Sequence, residues 1–128
     1  MPATRDRFSQ AIIDELDSGM ILGLRAGSAP HRFIGVWMVV VDRRLFVRSW
    51  SLKPRSWYRT FLEEPRGVIQ VAGRAIPVRA VRTRSERLKG AVDRAYLAKY
   101  TTPGSVKYAR DLGRAKSRAT TTELVPLS

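Results

Sequence analysis

The sequence contains no cysteine and a single histidine among its 128 residues. Without cysteine it can form no disulfide, thiolate nucleophile or cysteine-ligated zinc or iron–sulfur centre. The one histidine, His31, follows Pro30 in a predicted turn, where we expect a surface residue and not the base of a catalytic triad. We therefore predict no metal site and no catalytic side chain, so any reactivity must come from a bound cofactor.

Long apolar runs are missing as well. No window approaches the roughly 18 apolar residues that span a bilayer, and the N-terminus lacks the basic region and apolar run of a secretory signal. We expect a cytoplasmic protein without a membrane segment. With 128 residues, of which 44% are hydrophobic, the chain is predicted to form one domain over residues 1–128.

Acidic residues are few: 11 Asp and Glu face 24 Lys and Arg, for a net charge of +13. Most of the excess lies in the second half of the chain, which favours an anionic partner. One possibility is a phosphorylated or acidic small molecule, and ordinary solubility is another explanation. A third is nucleic acid bound by the cations of the C-terminal half, which are Arg79, Arg82, Arg84, Arg87, Lys107, Arg110, Arg114, Lys116 and Arg118.

Alternating hydrophobicity and short turns predict a mainly β protein, a β-barrel or strongly curled sheet with peripheral helices. Six strands are predicted, over residues 20–26, 31–41, 45–50, 67–72, 75–83 and 119–125. Pro77 suggests an edge position or a bulge for the strand that contains it. Helical spacing predicts a helix over 5–18 capped by Thr4, a second ended by Pro65, and a helical insertion over 85–112 that Ser85 caps.

The segment 48–59 concentrates cations and hydroxyls at a predicted strand-to-helix junction. Such a junction suits a phosphate because it combines charge, hydroxyl groups and free backbone donors. Trp50 and Trp57 flank the cluster and could stack on a flat ring, although packing in the core or in a dimer would explain them equally.

The stretch PRSWYR (54–59), followed by Pro65, VIQV (68–71) and GRAIPVRA (73–80), resembles the flavin-binding split-barrel superfamily, whose members are pyridoxamine-phosphate-oxidase-like. The resemblance is greatest to the deazaflavin-dependent nitroreductase-like branch and to an uncharacterised family within the superfamily. It implies a six-stranded antiparallel Greek-key split barrel, a homodimer, and an FMN or deazaflavin coenzyme bound at the dimer interface.

The resemblance also implies site residues. Arg48 and Ser49 match the strand end that contacts the cofactor phosphate, and Lys53 matches a loop that supplies a basic phosphate ligand. Trp57 matches the helix packed beneath the site, while Trp50 and Leu52 stand where the deazaflavin relatives have small residues. The full predicted cofactor-binding set is Arg48, Ser49, Trp50, Lys53, Ser56, Trp57 and Arg59.

Three functions stay open on the sequence alone: a flavin- or deazaflavin-dependent oxidoreductase, a non-enzymatic barrel that binds another phosphorylated or acidic small molecule, and a basic nucleic-acid-binding protein. For the homodimer, Trp37, Met38 and Phe46 are predicted to cover apolar strand surface across a twofold axis.

Overall fold

A computed structural model describes residues 7–127, which form one curled antiparallel sheet with helices around it. The seven strands are β1 Leu22–Ala26, β2 Ile34–Val36, β3 Met38–Val41, β4 Arg44–Val47, β5 Arg66–Val71, β6 Arg74–Arg82 and β7 Thr122–Pro126. The helices are α1 Gln10–Ser18, α2 Trp57–Glu63, α3 Glu86–Lys99, α4 Pro103–Asp111 and α5 Ala115–Arg118.

The sheet is a nearly closed barrel, because its two edge strands come from one stretch of chain. The strand order is β2-β1-β5-β6-β7-β4-β3, and only Trp37 separates β2 from β3. The predicted mainly β barrel with peripheral helices is confirmed. There are seven strands instead of six because the predicted strand 31–41 divides at Trp37, where the chain stops pairing with β1 and begins to pair with β4.

The division at Trp37 is held in place by α3. The Trp37 ring stacks on the Tyr100 ring with centroids 4.0 Å apart and planes 3° apart. The Tyr96 hydroxyl donates to the Trp37 carbonyl at 3.0 Å. These contacts hold the residue at the point where the chain changes strand partners.

Pro77 lies in β6, which has neighbours on both sides, so the predicted edge position is wrong. Its carbonyl accepts from the Leu127 N–H at 3.0 Å, and the last register pair of β6 with β7 joins Val78 to Pro126. In an antiparallel strand the N–H and C=O of one residue point to the same side. The N–H that proline lacks would therefore face the end of β7, and the pairing with β5 loses no hydrogen bond.

Of the predicted helix starts, that of α1 is wrong and that of α3 is confirmed. Helix α1 begins at Gln10, where the Ser9 hydroxyl accepts from the Ile12 N–H at 3.3 Å, and not at residue 5; Thr4 lies outside the described residues. The predicted cap by Ser85 is confirmed, since its hydroxyl accepts from the Leu88 N–H. The predicted insertion 85–112 consists of two helices, α3 and α4, and the short helix α5, which follows it, was not predicted.

Two apolar clusters stabilise the fold. The first fills the barrel against α1, and the second lies outside β3 and β4 beneath α3 and α4. Met38 belongs to the first and Phe46 to the second, with 2% and 0% of their surface exposed. Neither can cover a dimer interface, so that prediction is wrong for both. Within residues 7–127 no helix has the length and apolar character needed to cross a bilayer.

Candidate ligand-binding groove

A groove opens where the barrel fails to close. After β4 ends at Val47 the chain leaves the sheet and runs across the barrel end to α2, opposite β2. The space between has a volume of about 420 Å³ and is lined by residues from 34–37 and from 48–57. The predicted strand 45–50 is therefore too long, and its last three residues form a groove wall instead.

All three tryptophans of the chain line this groove. Trp50 packs edge-on against Trp37, with ring centroids 5.4 Å apart, and against Tyr108 at 6.2 Å. It keeps 42% of its surface exposed, so it forms a wall of the groove and leaves space beside it. Trp57 is half-buried and packs edge-on against Phe61 at 5.9 Å. The arrangement presents indole surface from three directions to one cavity.

The groove floor is rigid because α3 supports it from below. The Tyr100 ring stacks under Trp37, and its hydroxyl accepts from the Met38 N–H at 3.1 Å and donates to the Met20 carbonyl at 2.9 Å. Burial raises the pKa of Tyr100 to about 12. Burial also raises the pKa of Tyr96, on whose ring Tyr100 packs. Both phenols therefore stay neutral structural groups at physiological pH.

The loop between β4 and α2 is held by its own serines. The Ser49 hydroxyl donates to the Ser51 carbonyl at 2.7 Å, and the Ser49 N–H donates to the Thr120 hydroxyl at 2.8 Å. The Ser56 hydroxyl caps α2 by accepting from the Arg59 N–H at 3.3 Å. Ser49 and Ser56, which the sequence predicts as cofactor ligands, both line the groove, and their hydroxyls already hold the backbone that shapes it.

Two exposed cations, Lys53 and Arg55, line the groove. Neither takes part in an ion pair anywhere in the described part of the chain. Arg59, which the sequence also predicts as a ligand, does not line the groove; its guanidinium donates to the Leu52 carbonyl at 3.3 Å. Arg55 was missed, although its place beside Lys53 in an exposed basic loop was a usable signal.

Arg48 is buried inside the protein, whereas the sequence predicts it at a phosphate-binding site. Its side chain is 0% exposed, and its guanidinium points away from solvent into the helical layer. It donates to the Asp93 carboxylate at 2.6 Å, the Thr121 hydroxyl at 2.8 Å, the Leu112 carbonyl at 2.9 Å and the Lys89 carbonyl at 3.0 Å. This geometry leaves the guanidinium no approach for a phosphate, and it joins the groove wall to α3 and the loop after α4.

The groove continues on both sides. A compartment of about 390 Å³ shares Ile34, Arg55 and Trp57 with it and adds His31 and Arg32. On the other side a shallow recess of about 410 Å³ shares its wall and is lined by Trp50, Ser51, Leu52, Lys53 and Lys116. No residue lining these three spaces is acidic. Nothing in the sequence signalled Arg32 and Lys116, which distant segments bring to the site.

Metal chemistry finds no support in residues 7–127, where no group of three or more His, Asp and Glu could hold an ion. The donors of the groove are indole rings, guanidinium and ammonium groups and backbone amides. These groups fit an anionic ligand with a flat ring.

The family of the chain follows from its sequence. A family model described as "Uncharacterized protein conserved in bacteria (DUF2255)" matches residues 11–124. The chain belongs to this family. No curated protein matches the sequence.

Two solved structures share the fold of this DUF2255 member. The crystal structure of the conserved hypothetical protein Rv2991 from Mycobacterium tuberculosis has a TM-score of 0.58 and 16% identity, covering 96% of this chain and 82% of the other. A FAD-binding protein (mll6688) from Mesorhizobium loti has a TM-score of 0.54 and 16% identity, covering 94% of this chain and 89% of the other. At this identity the likeness establishes the fold alone.

Proposed function

We propose that the groove binds a flavin-type coenzyme, FMN, FAD or a deazaflavin, and that the protein is an oxidoreductase that uses it. The observation that carries the proposal is the convergence of all three tryptophans on a groove with unpaired cations and no acidic lining residue. A protein of similar fold that is described as FAD-binding adds support.

The residues present fit such a coenzyme. The groove volume of about 420 Å³ lies within the range of roughly 300–1,000 Å³ typical of small-molecule sites. Its apolar part could take the ring system between Trp37, Trp50 and Trp57. Lys53 and Arg55 also line the groove, and a phosphate there would supply the negative charge that these side chains lack within the described part of the chain.

The bound coenzyme would supply hydride transfer, and the side chains described above supply none of that chemistry themselves. The task of this chain is to orient the ring and to exclude water. Trp50 is the residue best placed for both, because it borders the groove and the adjoining recess. Arg48 acts indirectly, by holding the backbone from which Ser49 and Trp50 project.

We also propose that a second copy of the chain covers the open side of the groove. Each chain carries a net charge of +13, so a surface poor in cations is the most favourable place for two chains to meet. Residues 19–24 and 33–41 contain no charged residue, and they expose Met20, Ile21 and Ile34 by 43%, 60% and 45%.

The free edge of β2 lies on this same uncharged surface. At the other edge of the sheet, the outward backbone groups of Met38 at the start of β3 already have partners: its carbonyl accepts from the Lys99 ammonium at 3.1 Å, and its N–H donates to the Tyr100 hydroxyl at 3.1 Å. Uncovered edges are natural sites of strand pairing. Since Ile34 lines both the groove and the neighbouring compartment, a partner docked on β2 would close the site.

A titration with FMN, FAD and a deazaflavin coenzyme tests the proposal, with flavin fluorescence and thermal stabilisation as the readouts. Binding at micromolar concentration is expected. The double variant K53A/R55A should weaken binding about tenfold or more, since a hydrogen bond to a charged group contributes about 1.5–3 kcal/mol. The control R94A/R110A removes the same charge from exposed helix positions and should bind normally. No quenching and no stabilisation by any of the three coenzymes would contradict the proposal.

A second candidate is a smaller phosphorylated ligand without redox chemistry. The observation that favours it is the Trp50 ring, which stands in the groove where the resembling family has a small residue. Stabilisation by nucleotides or sugar phosphates, combined with no response to flavins, would select this candidate. Light scattering tests the dimer separately, and a mass near the 14.5 kDa of one chain would argue against the covered groove.

A further inference from the structure

The outer face of β5 and β6 carries arginines that the groove does not use. Side chains alternate along a strand between the two faces of a sheet. Ile69 and Val78 point into the barrel and are 0% exposed. Arg66 and Arg79, which lie an odd number of positions away, therefore point outward, and both are exposed.

These two arginines face each other directly. Arg66 and Arg79 are register partners in the antiparallel pair of β5 with β6, and like charges placed directly opposite each other destabilise a sheet. Arg25 adds a third charge on the same face, because it pairs with Val68, two residues along from Arg66. Such diagonal neighbours lie about 7–8 Å apart.

The contacts of these arginines in the described part of the chain offset little of this repulsion. The Arg25 guanidinium lies over the Phe33 ring, 4.9 Å from its centroid, and this contact brings no negative charge. No ion pair between residues 7 and 127 includes Arg25, Arg66 or Arg79. The charge of Arg66 acts on the Glu64 carboxylate, but the pKa of Glu64 is lowered first by hydrogen bonds with Ser28 and only last by that charge. By contrast, Arg44 and Arg118 at other positions are matched with acids; these pairs are Arg44–Glu123, Arg118–Glu86 and Arg118–Asp93.

The face is also poor in large apolar side chains. Val68 and Pro77 lie beside the arginines and are small or only partly exposed. A protein partner normally buries aromatic or large aliphatic side chains at the centre of its interface, whereas the one aromatic ring within residues 7–127 that contacts these arginines, Phe33, lies at the β2 side of the face beneath Arg25. A phosphate backbone needs only positive charge and hydrogen-bond donors at a suitable spacing.

We propose that Arg25, Arg66 and Arg79 form a binding surface for the phosphate backbone of nucleic acid, separate from the ligand groove. The Cα atoms of the three arginines are separated by one strand interval and one diagonal. From such positions long arginine side chains can reach neighbouring phosphates along a strand, and arginine binds phosphate through a bidentate fork. The contact reads no bases, so binding is independent of sequence.

The experiment measures the affinity of fluorescent 20-nucleotide single strands and 20-base-pair duplexes, by anisotropy, between about 50 and 200 mM salt. The test variant is R66A/R79A and the control is R7A/R94A, which removes the same charge from exposed positions away from β5 and β6. The logarithmic salt slope for the duplex should become shallower by about 1.8 in the test variant, about 0.9 for each lost phosphate contact. The control should keep the parental slope.

Several outcomes would overturn this assignment. Equal losses in the test and control variants would mean that net charge alone attracts nucleic acid, and no binding near 50 mM salt would end the proposal. An acidic peptide that binds the wild type more tightly than the oligonucleotides, and is lost in R66A/R79A, would assign the surface to a protein partner. Unfolding does not confuse the result, since R66A/R79A relieves repulsion and its urea midpoint should not fall. Repeating the titration with saturating FMN keeps this test independent of the groove.

Discussion

Replacing Arg48 distinguishes a phosphate ligand from a structural residue. If Arg48 held a phosphate, the variant Arg48→Ala would lose ligand affinity and keep its stability. The structure predicts the opposite, because the guanidinium is 0% exposed and makes four hydrogen bonds inside the protein. Removing it leaves the Leu112 and Lys89 carbonyls without these donors and opens a cavity between β4 and α3.

The expected cost follows from the ion pair with Asp93. Removing one member of a buried pair costs about 3–5 kcal/mol. The Asp93 side chain is 30% exposed and keeps a second partner, the Arg118 guanidinium at 3.0 Å, so we expect about 3 kcal/mol, the low end of the range. Total stabilities of domains are about 5–15 kcal/mol, so Arg48→Ala should fold but unfold at a clearly lower urea concentration.

Urea unfolding followed by tryptophan fluorescence measures this change. Arg48→Lys keeps the charge but offers three donors where four hydrogen bonds exist, and it should lose about 1–3 kcal/mol. Arg55→Ala, an exposed groove residue, should stay within about 0.5 kcal/mol of the wild type. A loss below about 1 kcal/mol in Arg48→Ala, combined with weaker coenzyme binding, would refute the structural role and restore the role predicted from the sequence.

Two further predictions concern glycine and carboxylate positions. A Cβ on Gly67 would collide with the backbone carbonyl of Arg25, whereas a Cβ on Gly104 in α4 meets nothing within 4 Å. Urea unfolding should therefore show that Gly67→Ala is destabilised by about 1–3 kcal/mol. Gly104→Ala should be unchanged or stabilised by up to about 1 kcal/mol. The Arg118 guanidinium lowers the pKa of Glu86, by its hydrogen bond first and its charge second, so an NMR titration of Arg118→Ala should find that pKa raised towards 4.5. Because the pKa of Glu86 is lowered only in the folded state, this interaction stabilises the fold at pH values above the ordinary glutamate pKa, and the stabilisation is lost as the pH falls through the lowered pKa. An unchanged Glu86 titration in Arg118→Ala would contradict the assignment.

The strands and caps were predictable because local signals determine them. Alternation located β5, β6 and β7 to within a few residues, and the Ser85 cap follows from its place before an amphipathic run. The division of the second predicted strand at Trp37 was not predictable. It arises because the chain changes its strand partner there, and the aromatic rings that hold it come from about 60 residues later in the sequence.

The candidate site, too, was predictable from local sequence in one respect and not in another. The basic, tryptophan-flanked segment predicted the groove position, because 48–57 is one continuous stretch whose side chains share a loop. The surroundings of Arg48 depend on Asp93 and Thr121, which lie 45 and 73 residues away. A strand-end arginine has the same local pattern whether it points to a ligand or into a helical layer, so only the tertiary structure separates the two.

The groove and the free edge of β2 have a common origin in the barrel seam. The sheet ends at β2 on one side and β3 on the other, and the chain between β4 and α2 lines the groove opposite residues 34–37. One wall of the groove is fixed through Arg48 to α3, and the other wall is β2, which pairs only with β1. A ligand would thus contact one rigid wall and one wall whose outer edge is uncovered. Binding and dimer formation should therefore strengthen each other, since a partner on β2 would hold the second wall in place, and coenzyme affinity should rise with protein concentration across the dimer transition.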